Sequence, residues 1–259
     1  MRCVLFGKSG ILGSAILETC CTHELFTPSS KEIDFENYDS ITKYLEYLKP
    51  QVIFNCAAIK GEKNNKINYF SSYQVNAVAP KALAIFCKKY SCKLVHASSE
   101  AVFSDLLSGP FSITDIPWTN TFYGSLKLSA EYAIVKEDSS AAIVRFGPLI
   151  GKSNSQNNTA RQLLEKIHHN EKIEPDDDIL RSFVYAKDLA QVFWYLAEND
   201  NIGVFHASHS GSNSWYEISQ FFYQKINKNM LANKFVIKNN LDKINHCLTP
   251  SSGGVFNLR

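Results

Sequence analysis

An α/β fold, an open parallel sheet wound on both faces by helices, is what this sequence predicts, and three observations predict it. Short apolar runs alternate with longer amphipathic stretches through the first 150 residues, the pattern of strand, helix, strand repeated. A glycine-spaced turn, Gly7-Lys8-Ser9-Gly10-Ile11-Leu12-Gly13, follows the first apolar run directly. At 259 residues, 45% hydrophobic and 20% charged, the chain can bury a large core and fits one α/β domain with a smaller lobe.

Taken in order, Arg2–Phe6 reads as a strand, residues 11–22 as a helix and 24–27 as a second strand. Asp34 to Asn37 carries the short polar side chains of a loop or helix entry, and Tyr38–Leu48 is a helix that Pro50 stops. Val52–Asn55, Lys93–Ala97 and Ala142–Phe146 are the remaining strands of the first part, separated by helices over 71–90 and 123–136. Beyond Phe146 the texture changes. Gly147-Pro148 breaks the strand, residues 152–158 form a Ser/Asn-rich loop, and Thr159–His168 is an amphipathic helix. A strand at 181–184, a helix at 187–198, a strand at 204–207 and a helix over Trp215–Ile226 complete the reading. Residues 1–150 are expected to form one domain and 151–259 a smaller lobe, with 183–207 returning to the sheet.

Bulk properties exclude several classes. A formal charge of +2 with scattered lysines is no electrostatic surface for nucleic acid, and the densest basic stretch, Lys60 to Lys66, reads as a solvated loop. The seven cysteines form no Cys-x-x-Cys pair, which points to a reducing compartment. A strand starting at residue 2 leaves no room for a signal peptide, and no apolar run approaches the ~20 residues of a membrane span. A cytoplasmic protein with no membrane or nucleic-acid partner is expected.

The glycine turn carries the first chemical signal. A strand feeding a tight turn and then a helix aims free backbone N–H groups and the positive helix end at one point, a field that suits a pyrophosphate. Its Gly-x-x-Gly-x-x-Gly spacing is one residue longer than the dinucleotide fingerprint. No acid ends the second strand. Thr27-Pro28-Ser29-Ser30-Lys31 follows instead, and its hydroxyls, with Lys8, suit the 2′-phosphate of NADP(H) better than a free ribose diol.

Tyr123 and Lys127 are the second signal. Four residues apart at the start of a helix, they share a face, and an ammonium close to a phenol favours the phenolate and brings it into working range for acid–base chemistry. Tyr132 and Lys136 repeat the spacing, but nine residues on they occupy the opposite face, and Tyr132, set among Ala130, Ala133, Ile134 and Val135, reads as core. Ser98 and Ser99 follow the strand Lys93–Ala97 at the carboxyl end, where open α/β sheets bind ligands. A hydroxyl there can hold a substrate carbonyl.

In sum these segments resemble the extended short-chain dehydrogenase/reductases, most closely the dTDP-4-dehydrorhamnose reductases and related sugar-nucleotide reductases. Gly7-Lys8-Ser9-Gly10 is similar to their Gly-Lys-Thr-Gly turn, and Asn55-Cys56-Ala57-Ala58 to their Asn-Ala-Ala segment. Ser98-Ser99-Glu100-Ala101-Val102-Phe103 resembles Ser-Thr-Asp-Tyr-Val-Phe, and Tyr123-Gly124-Ser125-Leu126-Lys127-Leu128 resembles Tyr-Gly-Lys-Thr-Lys-Leu. Val75-Asn76-Ala77, Asp34-Phe35, Asn157-Asn158 and Ser214-Trp215-Tyr216-Glu217 also have counterparts. The resemblance implies a Rossmann-type doubly wound parallel sheet, with a dinucleotide-binding domain and a smaller carboxyl-terminal substrate lobe.

It further implies Tyr123 as proton donor, Lys127 on the nicotinamide ribose and tuning the phenol, and Ser99 on the sugar carbonyl. Gly7 to Gly13, Ser29, Ser30, Asp34, Phe35, Cys56, Ala57, Ala58 and Asn76 would join Tyr123 and Lys127 in binding NADP(H), with Asp34 at the adenine. Lys60, Ser98, Ser99, Glu100, Asn158, Arg181 and Trp215 would line the nucleotide-linked sugar. Arg181-Ser182-Phe183-Val184-Tyr185 resembles the strand that holds the diphosphate, and a salt bridge to Asp176, Asp177 or Asp178 is the alternative for Arg181.

The implied reaction is NADP(H)-dependent reduction of a 4-keto sugar nucleotide in polysaccharide biosynthesis, with no metal ligand assigned and a homodimer left open. Three departures stand out: Glu100 and Ala101 in place of Asp and Tyr, basic Lys60 to Lys66 in place of an acidic stretch, and the Ser251-Ser252-Gly253-Gly254 tail. Epimerisation or dehydration on the same scaffold is the second reading, weakened because Ala101 stands where dehydratases carry Glu and Glu100 where fucose-synthase-like enzymes carry Cys. His168 or His169 offers another proton shuttle, although each reads as a solvated helix residue. A third reading is a cofactor-binding regulatory subunit like the β subunit of methionine adenosyltransferase, against which Ser99, Tyr123 and Lys127 argue together.

Overall fold

Strand order in the computed structural model places the ligand crevice before any side chain is considered. The structure describes residues 1–60, 68–153, 158–169, 171, 179–226, 244–246 and 257–258. In chain order the elements begin β1 (Arg2–Phe6), α1 (Ile11–Thr19), β2 (Glu24–Phe26), α2 (Tyr38–Leu48), β3 (Val52–Asn55) and α3 (Tyr69–Tyr73). A single π turn, Gln74–Val78, joins α3 to α4 (Ala79–Tyr90), and then come β4 (Lys93–Ala97), a 3-10 turn at Glu100–Val102, α5 (Phe122–Glu137), β5 (Ala142–Phe146) and β6 (Leu149–Ile150). The remainder is α6 (Thr159–His168), β7 (Ile179–Arg181), β8 (Val184–Tyr185), α7 (Ala186–Glu198), β9 (Gly203–His209), α8 (Trp215–Ile226), β10 (Ile244–His246) and β11 (Asn257–Leu258).

Seven strands form one sheet in the order β11-β9-β5-β4-β3-β1-β2, every pair parallel. The chain winds from β1 outward to β2 and then jumps back across β1 to β3, so the winding reverses between β1 and β3. Open α/β sheets bind ligands outside the carboxyl ends of their strands at such a switch point. Here those ends are Phe6-Gly7 and Asn55-Cys56, paired in register at Phe6 and Asn55.

Alternation along the strands divides the core into two layers. Cys3 and Leu5 of β1 and Phe54 of β3 face one side, where Leu12 and Ile16 of α1 pack with Leu189, Phe193 and Trp194 of α7. Val4, Phe6 and Ile53 face the other, beneath Ile41 and Leu45 of α2, Leu83 and Phe86 of α4, and Ile134 of α5. Away from the sheet, Leu163 and Ile167 of α6 and Tyr223 of α8 make a small cluster of their own, against which Trp215 and Phe222 pack.

Helix ends follow local chemistry. Asn37 caps α2 by accepting from the Asp39 and Ser40 N–H groups, and Lys49, in the left-handed region at φ 50°, ends it ahead of Pro50. The expected helix over 11–22 stops at Thr19 and the expected strand over 24–27 stops at Phe26. Cys20 and Thr22 lie outside α1 because the chain must turn sharply to bring Glu24 beside Arg2. The strand expected over 181–184 is two strands. β7 ends at Arg181 and pairs with β10, β8 begins at Val184 and pairs with β6, and Ser182 and Phe183 between them are buried. Helix 187–198 begins one residue earlier than expected, and strand 204–207 extends to Gly203–His209 and joins the sheet beside β5. Tyr132 corrects the sequence reading outright. α5 buries Leu126, Lys127, Ala130, Glu131 and Ile134 on one face, and Tyr132, on the other, is 61% exposed. Among the described residues, no helix is long and apolar enough to cross a membrane, and no cluster of His, Cys, Asp and Glu fits a metal ion. The Ser251 to Gly254 tail lies outside the described residues.

Candidate active site

At the switch point the backbone itself makes the first wall. Gly7 adopts φ +87°, and a Cβ there would stand 2.5 Å from the carbonyl carbon of Cys56, so only glycine lets the first turn press against the end of β3. Gly10 precedes α1 with no side-chain cap, leaving first-turn N–H groups for a ligand. Gly10 to Gly13, Cys56 and Ala58 line one side of a cleft of about 220 Å³. Across it stand Ala97 to Glu100, Tyr123, Lys127, the Phe146–Leu149 corner and Trp215. Ser99, just past the end of β4, meets Tyr123 and Lys127 of α5 in this cleft, together with Lys60.

A second pocket of about 380 Å³ opens on the other side of the glycine turn, between Gly7 to Ser9 and Pro28 to Ser30, with Ile33, Phe35 and Ala57. Phe35 packs on Phe6 at 4.9 Å between ring centroids, which gives this pocket an apolar floor. Two pockets flanking one uncapped helix start fit the two ends of a dinucleotide, with the pyrophosphate at the turn.

The catalytic wall is built by close approach. A Cβ on Gly124 would collide with the Ala101 carbonyl oxygen, so the glycine after Tyr123 is what seats the start of α5 on the loop carrying Ser99. Ser99 caps the 3-10 turn, accepting from the Ala101 N–H at 3.2 Å, and its hydroxyl stands near the Tyr123 phenol. Burial pushes that phenol up to about 12, with the Ser99 hydroxyl pulling the other way. Lys127 does not tune it as the spacing suggested. Its ammonium turns inward, donating to Ala97 O at 2.5 Å with His96 Nε2 at 3.4 Å. Burial lowers this lysine to about 8, against the opposing charges of Glu131 and Cys56. Lys60, expected in a solvated loop, brings its Nζ to 5.9 Å from the Tyr123 ring centroid. Residues 61–66 of that stretch lie outside the described residues.

Glu100 and Arg181, both expected at the substrate, meet each other. Arg181 donates to Glu100 at 3.0 Å and stands 3.6 Å from Asp105. Burial raises Glu100 to about 7, although Arg181 and Lys60 pull it down. The alternative partners Asp176 to Asp178 lie outside the described residues.

Several expected ligand contacts are spent within the protein. Ser98 lines the cleft, but its hydroxyl donates to the Glu131 carboxylate behind it. Asn76, in the π turn, holds the Ile59 backbone with both ends of its amide, 3.1 Å to the N–H and 2.8 Å to the carbonyl, so it shapes the 56–60 loop. Asn158 caps α6 and donates to Gly151 O at 2.9 Å; the amide, 1% exposed, is an anchor for the loop before α6. Asp34 accepts from the Glu36 N–H in an exposed turn and lines neither pocket. Lys8 donates to Thr27 O at 2.8 Å, and the Ser29 N–H and hydroxyl both donate to Glu32 at 2.7 Å, so both groups expected at a 2′-phosphate hold partners within the protein. His168 and His169 are exposed on and after α6, away from the cleft.

Sequence reasoning missed the polar layer beneath the site. Glu131 and Arg145, 4% and 5% exposed at their side chains, form a bidentate pair with its shortest contact at 2.6 Å, and Arg145 continues to His206 at 3.4 Å. His96 stands between Lys127 and Asn55. A histidine inside the otherwise apolar Lys93–Ala97 strand, and a Glu on the buried face of α5, were the available signals.

The profile of the RmlD substrate binding domain family matches residues 1–245. Among curated proteins the chain is 24% identical over 242 residues to dTDP-4-dehydrorhamnose reductase of Aggregatibacter actinomycetemcomitans, covering 90% of this chain and 82% of the relative. It is 25% identical over 234 residues to methionine adenosyltransferase 2 subunit beta of Rattus norvegicus, covering 84% and 70%. In three dimensions it is similar to the crystal structure of dTDP-4-dehydrorhamnose reductase from Bacillus anthracis in complex with NADP, with a TM-score of 0.88 at 21% identity, covering 99% of this chain and 94% of the other.

Proposed function

The chain belongs to the RmlD substrate binding domain family, and on that premise we propose that it reduces the 4-keto group of a nucleotide-linked sugar with NADP(H). The observation that carries the reading is the meeting of Ser99, Tyr123 and Lys127 at the carboxyl end of the sheet, beside an uncapped helix start behind a glycine turn. The cofactor fits this chain's own residues: Gly7 leaves the space its backbone approach requires, and a pocket on each side of the turn takes one end of the molecule.

Bound NADPH supplies a hydride to the sugar carbonyl carbon. Tyr123 O–H gives the proton that the carbonyl oxygen needs, and Ser99, lining the same cleft, orients that oxygen beside the phenol. Arg181 receives the diphosphate through its planar fork, exchanging the Glu100 carboxylate for phosphate oxygens. Trp215, held edge-on by Phe183 at 4.7 Å, closes the sugar side. The substrate lobe in this reading is residues 151–259 without the 183–209 segment and β11, which return to the sheet. Ala101 offers no carboxyl for eliminating water, which disfavours a dehydratase. A regulatory binding subunit, suggested by the methionine adenosyltransferase relative, would have no use for the assembled Ser99 and Tyr123.

NADPH oxidation against a panel of nucleotide-linked 4-keto sugars tests the proposal. Tyr123→Phe should keep cofactor affinity and lower kcat by roughly 10²–10⁴, the usual worth of a positioned acid. No turnover with any sugar, or full turnover in Tyr123→Phe, would overturn it.

A further inference from the structure

The Asn55–His96 pair beneath Lys127 has a direction, and that direction can be read from donors and acceptors. Asn55 Oδ1 accepts the Ala57 N–H at 3.3 Å, which fixes the orientation of the amide. Its Nδ2 therefore faces His96 Nδ1 at 3.1 Å and donates to it. His96 is fully buried, and burial together with the charge of Lys127 holds it well below the usual imidazole range, so the ring is neutral. A neutral imidazole carries a single proton, and with Nδ1 accepting, that proton sits on Nε2.

Nε2–H points at Lys127 Nζ, 3.4 Å away. An ammonium there has three donors and no lone pair, and would meet Nε2–H donor to donor. An amine keeps an N–H for Ala97 O, at 2.5 Å, and offers its lone pair to His96. We propose that Asn55 and His96 are positioning residues for Lys127, a pair whose fixed tautomer favours the amine form of Nζ. The inference deepens the reductase reading and rests on it for its catalytic meaning, but its test does not.

Other elements oppose or support the pair. Glu131, one turn along α5, and Cys56, after β3, favour the ammonium, whereas burial disfavours it. Arg145 of β5 draws the Glu131 carboxylate into a bidentate pair and the Ser98 hydroxyl donates to it, which blunts its pull on Nζ. The balance leaves Lys127 changing protonation near 8, beside a phenol that does not. Lys127 thus joins Glu100, raised to about 7, as a group in the cleft whose charge varies through the working range.

Long-range proton–nitrogen correlation spectra of the cofactor-free protein read the tautomer directly, with the His96 signals identified by their loss in His96→Gln. Nε2–H with no imidazolium is expected between about pH 6 and 9, the window in which an ordinary histidine titrates. An Nδ1–H ring or an imidazolium in that window overturns the proposal. Carbon-13 lysine spectra then follow Nζ. Asn55→Asp places a carboxylate that accepts from Nδ1, transfers the ring proton there, and turns Nε2 into an acceptor for the ammonium. The Lys127 midpoint should rise by on the order of one pH unit, tenfold in proton affinity. In a His96→Gln background the same substitution retains only its through-space charge, so the rise should shrink to less than about half a unit. Equal rises in both backgrounds, with the folds intact by circular dichroism, would also overturn it. None of these readings depends on which sugar the protein reduces.

Discussion

Glu32 shows how one side chain can set cofactor choice. Its carboxylate takes both donors of Ser29, and those bonds, with the Lys8 charge, hold it below the ordinary carboxylate range. It is therefore an anion at the edge of the pocket that would receive a 2′-phosphate, and like charges disfavour each other there. Glu32→Gln should raise the NADPH-to-NADH affinity ratio by about tenfold, the worth of one charge-assisted bond regained, as measured by fluorescence titration of both nucleotides. An unchanged ratio would mean that the 2′-phosphate is met elsewhere. At this scale the sequence showed which residues gather but not what they touch. Ser99, Tyr123, Lys127 and Trp215 line the cleft and Gly7 the pocket across the glycine turn, because strand-end and helix-start positions follow from periodicity. The sequence did not show that the side chains of Ser98, Asn76, Asn158 and Lys8 already hold partners within the protein, because hydrogen-bond partners across 33, 17, 7 and 19 residues leave no trace in spacing.

Helix α5 is the element on which the site depends, since it carries Tyr123 and Lys127 on the same face as Glu131. Its weak amphipathicity hid this. Buried Lys127 and Glu131 interrupt the apolar stripe, while exposed Tyr132 and Val135 sit on the solvent side, so the sequence pattern points the wrong tyrosine inward. The Glu131–Arg145 pair fastens the helix to β5. Arg145→Leu would leave Glu131 buried and uncompensated, and breaking a buried pair from one side typically costs about 3–5 kcal/mol. Urea unfolding should show that loss, and Glu131→Leu combined with Arg145→Leu should recover part of it. A double variant no more stable than Arg145→Leu alone would indicate that the pair is not what anchors α5.

Across the whole molecule, two apolar layers serve the sheet and a third, smaller cluster holds α6 to α8 beside Trp215. This separation predicts separable effects. Leu163→Ala should cost about 2–5 kcal/mol in stability, raise the sugar-nucleotide KM through Trp215, and leave the NADPH Kd within about twofold. A matching loss of cofactor affinity would show the two regions to be one cooperative unit. The sheet's two edges carry one more consequence. β2 has three residues and β11 two, and on the β2 side Glu24 is exposed and paired to Arg2 at 3.2 Å. A brief, charged margin gives a neighbouring chain little to pair with, so the β2 edge of the folded protein should resist edge-to-edge aggregation when concentrated.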